Sequence, residues 1–201
     1  MDTLLKQVKE FADRAHGEQQ RRYTKERYIV HPVRIMELCS EYTEDKSILS
    51  AALLHDVLED TPVTKEELQQ FLNGLMNEHK ANKTVRLVVE LTDVYTKTNY
   101  PQWNRDTRKA KEASRIEKTS GASQTIKYAD IIDNCLEMAT HSEDEFALKF
   151  LKECRSVLKH IPKGDKQLYR RAVITVESCL QQLQQQNRKQ KRQTTKQKKQ
   201  D

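Results

Sequence analysis

Apolar residues recur three and four apart along most of this chain, which is the spacing of helices that bury one face. Leu4, Leu5, Val8, Phe11, Ala12 and Ala15 predict an amphipathic helix over 3–16, ended by Gly17. Residues 19–27 are basic and polar without a period and read as a loop. Pro32, after His31, suits the first turn of a helix that continues through Val33, Ile35, Met36 and Leu38, since an N–H is not needed there. A central helix is expected from Glu44-Asp45 to Asp60, broken by Thr61-Pro62. Thr64-Lys65-Glu66-Glu67 is a capping box ahead of a stripe of Leu68, Phe71, Leu72 and Leu75. Residues 77–83 are polar and read as loop, whereas Val85, Leu87, Val88, Val89 and Leu91 predict a buried helix. The pattern fails from Tyr95 to Gln102 and resumes as a charged helix from Asn104. After a turn at Ser120-Gly121, residues 122–139 carry Ile126, Ala129, Ile131, Ile132, Cys135, Leu136 and Met138 at helical spacing. Two more helices, near 143–160 and 165–186, are separated by Pro162-Lys163-Gly164-Asp165. The fold class expected is all-α, a compact multi-helix bundle.

Composition agrees, because aromatics make up 6% of the 201 residues and glycine and proline number four each, a profile that favours helices over sheets. The length suits one domain, 1–186, and a Gln- and Lys-rich tail, 187–201, whose lack of apolar residues predicts disorder. No apolar run is long enough to cross a membrane, and Met1-Asp2-Thr3-Leu4-Leu5-Lys6 lacks the basic and apolar regions of an export signal. Cys39, Cys135, Cys154 and Cys179 are widely spaced and read as reduced core residues, so a cytoplasmic location is expected. The net charge of +6 belongs wholly to the tail, which holds seven Lys/Arg and one Asp, while residues 1–186 carry 29 basic and 29 acidic side chains. A generic nucleic-acid surface is therefore excluded for the body but not for the tail.

The candidate chemistry lies in Ala51-Ala52-Leu53-Leu54-His55-Asp56-Val57-Leu58-Glu59-Asp60-Thr61. On one continuous helix, His55 would stand above Glu59 and Asp56 above Asp60, against a wall of leucines. Ionised carboxylates in such a place need partners. His31, at a helix start, and Asp130, on a helix otherwise built of Ile, Ala and Leu, supply further donors. Taken alone, Asp130 is equally well an acid on a helix surface. Together, two imidazoles and two carboxylates can hold one divalent ion at near-neutral charge, and nitrogen and oxygen donors without thiolate suit Mn, Fe, Ni or Zn.

Tyr28-Ile29-Val30-His31-Pro32, the 51–61 stretch, Leu91-Thr92-Asp93, and Thr125-Ile126-Lys127-Tyr128-Ala129-Asp130 with Asn134 occur in an order that resembles the HD-domain phosphohydrolases, in particular the RelA/SpoT hydrolase domain and its stand-alone small alarmone hydrolases. The resemblance spans about residues 5–160. It implies an HD-domain bundle in which His31, His55, Asp56 and Asp130 hold one metal, usually manganese, that activates a water. Glu59 and Asp60 would be the catalytic acids that orient the water and move its proton, and repulsion between these neighbours would keep one of them protonated. Arg21 and Arg22 would receive phosphates, Tyr23 would stack on the base, and Asn134 would hydrogen-bond the nucleotide. Arg105, Arg108 and Lys109 form a second basic set that is either a phosphate site or a solvated helix face, and Lys127 either reaches the pocket or snorkels to solvent. The chain departs from the family at His16-Gly17-Glu18-Gln19, where His-x-Gly-Gln is common, and at Arg27, where proline is usual.

The resemblance implies an enzyme that removes the 3′-pyrophosphate of guanosine tetra- or pentaphosphate. Its alternatives are hydrolysis of another nucleotide, such as NADPH, a deoxynucleoside triphosphate or a nucleoside phosphate, and a silent nucleotide sensor, which the presence of every ligand and both acids disfavours. The tail is either a solubilising end or a weak, salt-dependent, non-specific contact with nucleic acid.

Overall fold

The structure is a computed structural model that describes residues 2–141 and 145–197, with side chains described as far as Asn187. Among the described residues it contains helices and one isolated backbone bridge, Gln20 to Arg27. The helices are α1 (Thr3–His16), α2 (Val30–Ser40), α3 (Lys46–Leu54), α4 (Val57–Asp60), α5 (Lys65–Asn73), α6 (Glu78–Leu91), α7 (Arg105–Ile116), α8 (Gly121–His141), α9 (Glu145–His160) and α10 (Lys166–Gln197). None is long and apolar enough to cross a membrane.

Two rods position the site. In α3, Leu49, Ala51, Ala52, Leu53 and Leu54 are all buried, and the helix packs on α1, α2, α6 and α8. A helix apolar on every side can only sit in the core. α8 packs on α10, α2, α6 and α9 through Ile126, Tyr128, Ala129, Ile132 and Cys135. α2 lies against both rods, so its first turn can face them. The four cysteines are free and buried, as expected.

The sequence reading needs three corrections. The helix expected to run unbroken to Asp60 stops at Leu54; Asp56, at φ −99° and ψ −4°, becomes the N-cap of α4. No glycine or proline announces this break. Residues 77–83, read as loop, open α6: the Asn77 side chain accepts from the Lys80 N–H at 3.0 Å, and Ala81 and Thr84 are buried. The apolar period was hidden because small residues, rather than large ones, face the core there. α10 continues to Gln197, past the boundary at 186 drawn from composition. Gln, Lys and Arg are good helix formers even without an apolar face. Residues 142–144 and 198–201, parts of a predicted helix and of the tail, lie outside the described residues.

Side-chain caps open several of the remaining helices. Asp2 caps α1 by accepting from Leu5 N–H at 2.9 Å, Asn104 caps α7 through Thr107 N–H at 2.8 Å, and both halves of the Thr64–Glu67 capping box are present. Gly17 ends α1 with φ 54°, a left-handed conformation that favours glycine.

Candidate metal centre

His31 enters from the first turn of α2, His55 and Asp56 from the break after α3, and Asp130 from the middle of α8. His31 Nε2 lies 3.3 Å from Asp130 Oδ1 and 3.8 Å from Asp56 Oδ2. His55 Nε2 lies 2.8 Å from Asp56 Oδ2 and 4.0 Å from Asp130 Oδ1. Single donor atoms of His31, His55 and Asp56 all fall within 4.8 Å of one another. The break between α3 and α4 makes this possible. His55 turns its ring back so that Nδ1 meets the carbonyl of Ala52 at 3.0 Å, which leaves Nε2 facing the cluster.

Several contacts hold these groups in place. His31 Nδ1 is 2.7 Å from Asp133 Oδ2, a carboxylate–histidine arrangement that fixes the ring. The Tyr28 hydroxyl donates to Asp56 Oδ2 at 2.5 Å. Asp130 accepts from Asn134 Nδ2 at 2.5 Å and from Lys127 Nζ at 2.7 Å. Burial works against the imidazolium of His31, but Asp130 and Asp133 outweigh it and push its pKa up to about 9. Burial likewise raises the two carboxylates, yet Asp56 is held below its usual range by His55 and His31, and Asp130 by Lys127 and His31.

The donor set fits a divalent cation. His55 Nε2 is buried and lies 2.8 Å from Asp56 Oδ2, so its lone pair and the carboxylate oxygens of Asp56 and Asp130 converge on one point, which suits a cation. Two negative charges balance a dication, and the buried nitrogen and oxygen donors match the harder transition metals.

Glu59 and Asp60 part company. Glu59, at the end of α4, accepts from the Asp93 N–H at 3.0 Å. The residue is exposed as a whole, yet burial of its carboxyl and then the charge of Asp93 push its pKa up to about 7. The neighbour that raises it is thus Asp93, not Asp60, because the helix directs adjacent side chains apart. Asp60 is exposed and reaches Gln19 Nε2 at 3.4 Å.

The cations divide as well. Arg21 is tied to Glu137 through Nε at 2.8 Å and through Nη2, and to Asn134 Oδ1 at 2.9 Å. Asn134 therefore spends its amide on Asp130 and Arg21. Arg22 and Arg105 each place a guanidinium 5.3 Å from the centre of the Phe146 ring, and Arg105 also grips Glu153 with two nitrogens. Arg108 bonds the carbonyl of Trp103 and borders neither cavity next to the metal centre, whereas Lys109 pairs with Asp93 at 3.2 Å. Trp103 stacks on Tyr100 with ring centroids 4.6 Å apart.

Two adjoining cavities lie on this side of the molecule, and the first reaches the cluster through Asp130. One, of about 150 Å³, has Asp130, Lys127, Lys109 and Arg105 in its wall; the other, of about 380 Å³, has Arg21, Arg22, Tyr23 and Phe146. Arg105, Asn134 and Phe150 line both.

Residues with no role assigned from sequence also belong here. Asp133 and Glu137 lie three and seven positions beyond Asp130 on the same helix, so their spacing could have disclosed them. His16 is buried, with its ring 4.4 Å from that of Tyr28. Its bond from Nδ1 to Gln19 Oε1, at 2.9 Å, ties the loop to α1.

An all-helical bundle that brings two histidines and two aspartates from separate helices to one buried point has the architecture of an HD-type metal centre. The chain belongs to the HD-domain family, whose model matches residues 9–161. It is 44% identical over 66 residues to a guanosine-3′,5′-bis(diphosphate) 3′-pyrophosphohydrolase of Aquifex aeolicus, covering 33% of this chain and 9% of that one. It is 46% identical over 66 residues to the bifunctional (p)ppGpp synthase/hydrolase SpoT of Escherichia coli, with 33% and 9% covered. A probable pyrophosphohydrolase of the same name from Mycoplasma pneumoniae is 27% identical over 137 residues, 65% of this chain and 18% of that one. This chain thus spans less than a fifth of each of these relatives. A solved structure described as a metazoan ortholog of SpoT that hydrolyses ppGpp shares the fold, with a TM-score of 0.73, 20% identity, and coverage of 90% of this chain and 96% of that one.

Proposed function

We propose that this protein is a metal-dependent phosphohydrolase that cleaves the 3′-pyrophosphate from guanosine tetra- or pentaphosphate, yielding GDP or GTP and pyrophosphate. The observation that carries this reading is the convergence of His31 Nε2, His55 Nε2, Asp56 and Asp130 beside a cation-lined cleft. The relatives' names point to the same substrate.

His31, His55, Asp56 and Asp130 would hold one divalent ion, with manganese the metal we assign. Such an ion supplies Lewis-acid polarisation and a water of lowered pKa. Glu59, whose pKa is pushed up to about 7, would take and return the proton. Asp60 is the second acid and joins α4 to the 17–29 loop through Gln19. Lys127, Lys109, Arg105 and Arg22 would meet the phosphates, and Tyr23 belongs to the wall that receives the base. Asn134 orients Asp130, and Arg21 braces Asn134. Arg108 is left to fasten the 95–104 insert. Buried, reduced thiols suit the cytoplasm.

The test is a substrate panel of guanosine tetraphosphate, NADPH and a deoxynucleoside triphosphate with manganese, resolved by anion-exchange chromatography. GDP with equimolar pyrophosphate from the tetraphosphate is expected. Turnover of another member, with the tetraphosphate untouched, overturns the substrate; turnover of none overturns the enzyme.

A further inference from the structure

Arg21 stands in the loop between α1 and α2, yet its side chain is only 9% exposed. The loop holds its backbone: the Arg21 N–H donates to the Glu26 carbonyl at 2.9 Å, and Gln20 bridges to Arg27. The guanidinium meets residues that are not candidate ligands but touch them. Nη2 donates to Asn134 Oδ1 at 2.9 Å, and Asn134 Nδ2 in turn donates to Asp130 Oδ1 at 2.5 Å. Nη2 also lies 3.8 Å from Asp133 Oδ2, the oxygen that sits 2.7 Å from His31 Nδ1. The Arg21 Cζ lies 5.7 Å from the centre of the Tyr28 ring, whose hydroxyl donates to Asp56 Oδ2 at 2.5 Å. One guanidinium is thus a single residue away from three of the four candidate ligands. Glu137 Oε2 accepts from Nε at 2.8 Å and from Nη2, which orients the group. With its charge matched by Glu137 and Asp133, Arg21 is engaged within the protein rather than offered to a phosphate.

We infer that Arg21 is a positioning residue for the metal centre: it holds Asn134, Asp133 and Tyr28, and through them Asp130, His31 and Asp56, in the arrangement a cation needs. Partners of this kind orient metal ligands, and losing one costs about 10- to 100-fold in metal affinity. A planar guanidinium serves several acceptors from fixed directions, whereas an ammonium is a single point of charge. Coulomb attraction alone predicts the opposite sign, because removing a positive charge beside the cluster would tighten the binding of a cation. This inference rests on the proposed ligand set and not on the substrate.

Calorimetric titration of the metal-free full chain with manganese, in the absence of nucleotide, tests it without turnover. Arg21→Gln should weaken manganese binding about 10- to 100-fold. Arg21→Lys, which keeps the charge, should weaken it by less and serves if Arg21→Gln does not fold. Arg22→Gln alters a guanidinium set against the Tyr23 and Phe146 rings and should leave manganese affinity unchanged. At saturating manganese, the EPR spectrum of bound Mn(II), which reports the symmetry of its ligands, should differ between Arg21→Gln and the wild type. A merely structural role would lower the urea midpoint and leave both affinity and spectrum as in the wild type, and that outcome overturns the inference. Tighter binding in Arg21→Gln overturns it by showing that charge alone acts. An equal loss in Arg22→Gln overturns it by assigning the effect to the loop as a whole. Failure of the wild type to bind manganese rejects the metal centre and this inference with it; wild-type binding that Arg21→Gln leaves unchanged rejects the role of Arg21 alone.

Discussion

At the scale of single residues, the proposed roles of Glu59 and of the candidate metal ligands can be told apart by substitution. Glu59 touches the Asp93 backbone and no ligand atom of the cluster, whereas His55 and Asp130 form the cluster itself. His55→Ala or Asp130→Asn should abolish manganese binding measured by calorimetry. Glu59→Gln should bind manganese as the wild type does while turnover falls by about 10²- to 10⁴-fold, the usual worth of a general acid–base. Full activity in the Glu59 variant would show that some other group moves the proton. The raised pKa of Glu59 has a second consequence. Its folded form holds a proton more tightly than the unfolded chain does, so between about pH 4.5 and about pH 7 the folded state binds more protons. Stability of the metal-free protein should fall as pH rises through that window and level off above it. Urea midpoints at pH 5 and pH 8 should therefore differ less in Glu59→Gln than in the wild type; matching differences would mean Glu59 titrates normally.

At the scale of elements, the decisive feature is the interruption between α3 and α4. An unbroken helix would have stacked His55 over Glu59; the break instead frees His55 to bond the Ala52 carbonyl and Asp56 to cap α4. The alternation of apolar and polar residues carries no mark of this, because helical spacing continues through residues 55–58. The Thr64–Glu67 capping box, by contrast, was legible from its residue types, whereas the Asn77 cap, of the same three-residue reach, was not. The turn between α9 and α10 supports the site from behind. The Tyr128 hydroxyl bonds the Ile161 carbonyl and accepts from the Gly164 N–H at 3.0 Å, and this tyrosine lies two residues from Asp130. A Cβ on Gly164 would come within 2.4 Å of the Tyr128 ring and 2.8 Å of the Thr125 nitrogen. Gly164→Ala should thus cost about 1–3 kcal/mol in urea unfolding, the range for overpacking. An unchanged midpoint would mean that the turn yields without disturbing α8.

At the scale of the whole molecule, charge is distributed unevenly. Residues 1–186 are neutral overall, yet Arg22, Arg105, Lys109 and Lys127 gather at one cleft, and seven further cations lie in the last fifteen residues. The cleft and the tail should act independently. Removing residues 187–201 should leave nucleotide turnover within about twofold, while any binding to RNA at low salt falls sharply, since non-specific affinity follows the number of phosphates neutralised. If RNA binding survived the deletion, the body would hold the polyanion surface that its neutrality argues against.

By itself the sequence determined the helical class, most helix boundaries and the neutral body with its basic tail, because periodicity and charge are local signals; the four candidate metal ligands came from the family resemblance. Tertiary structure alone decided which atoms face one another. It set Asp93 rather than Asp60 beside Glu59 and turned Arg21 toward Glu137 and Asn134 rather than toward open solvent. These pairings join residues tens of positions apart through the packing of α2, α3 and α8, and no local pattern encodes a distance of that kind.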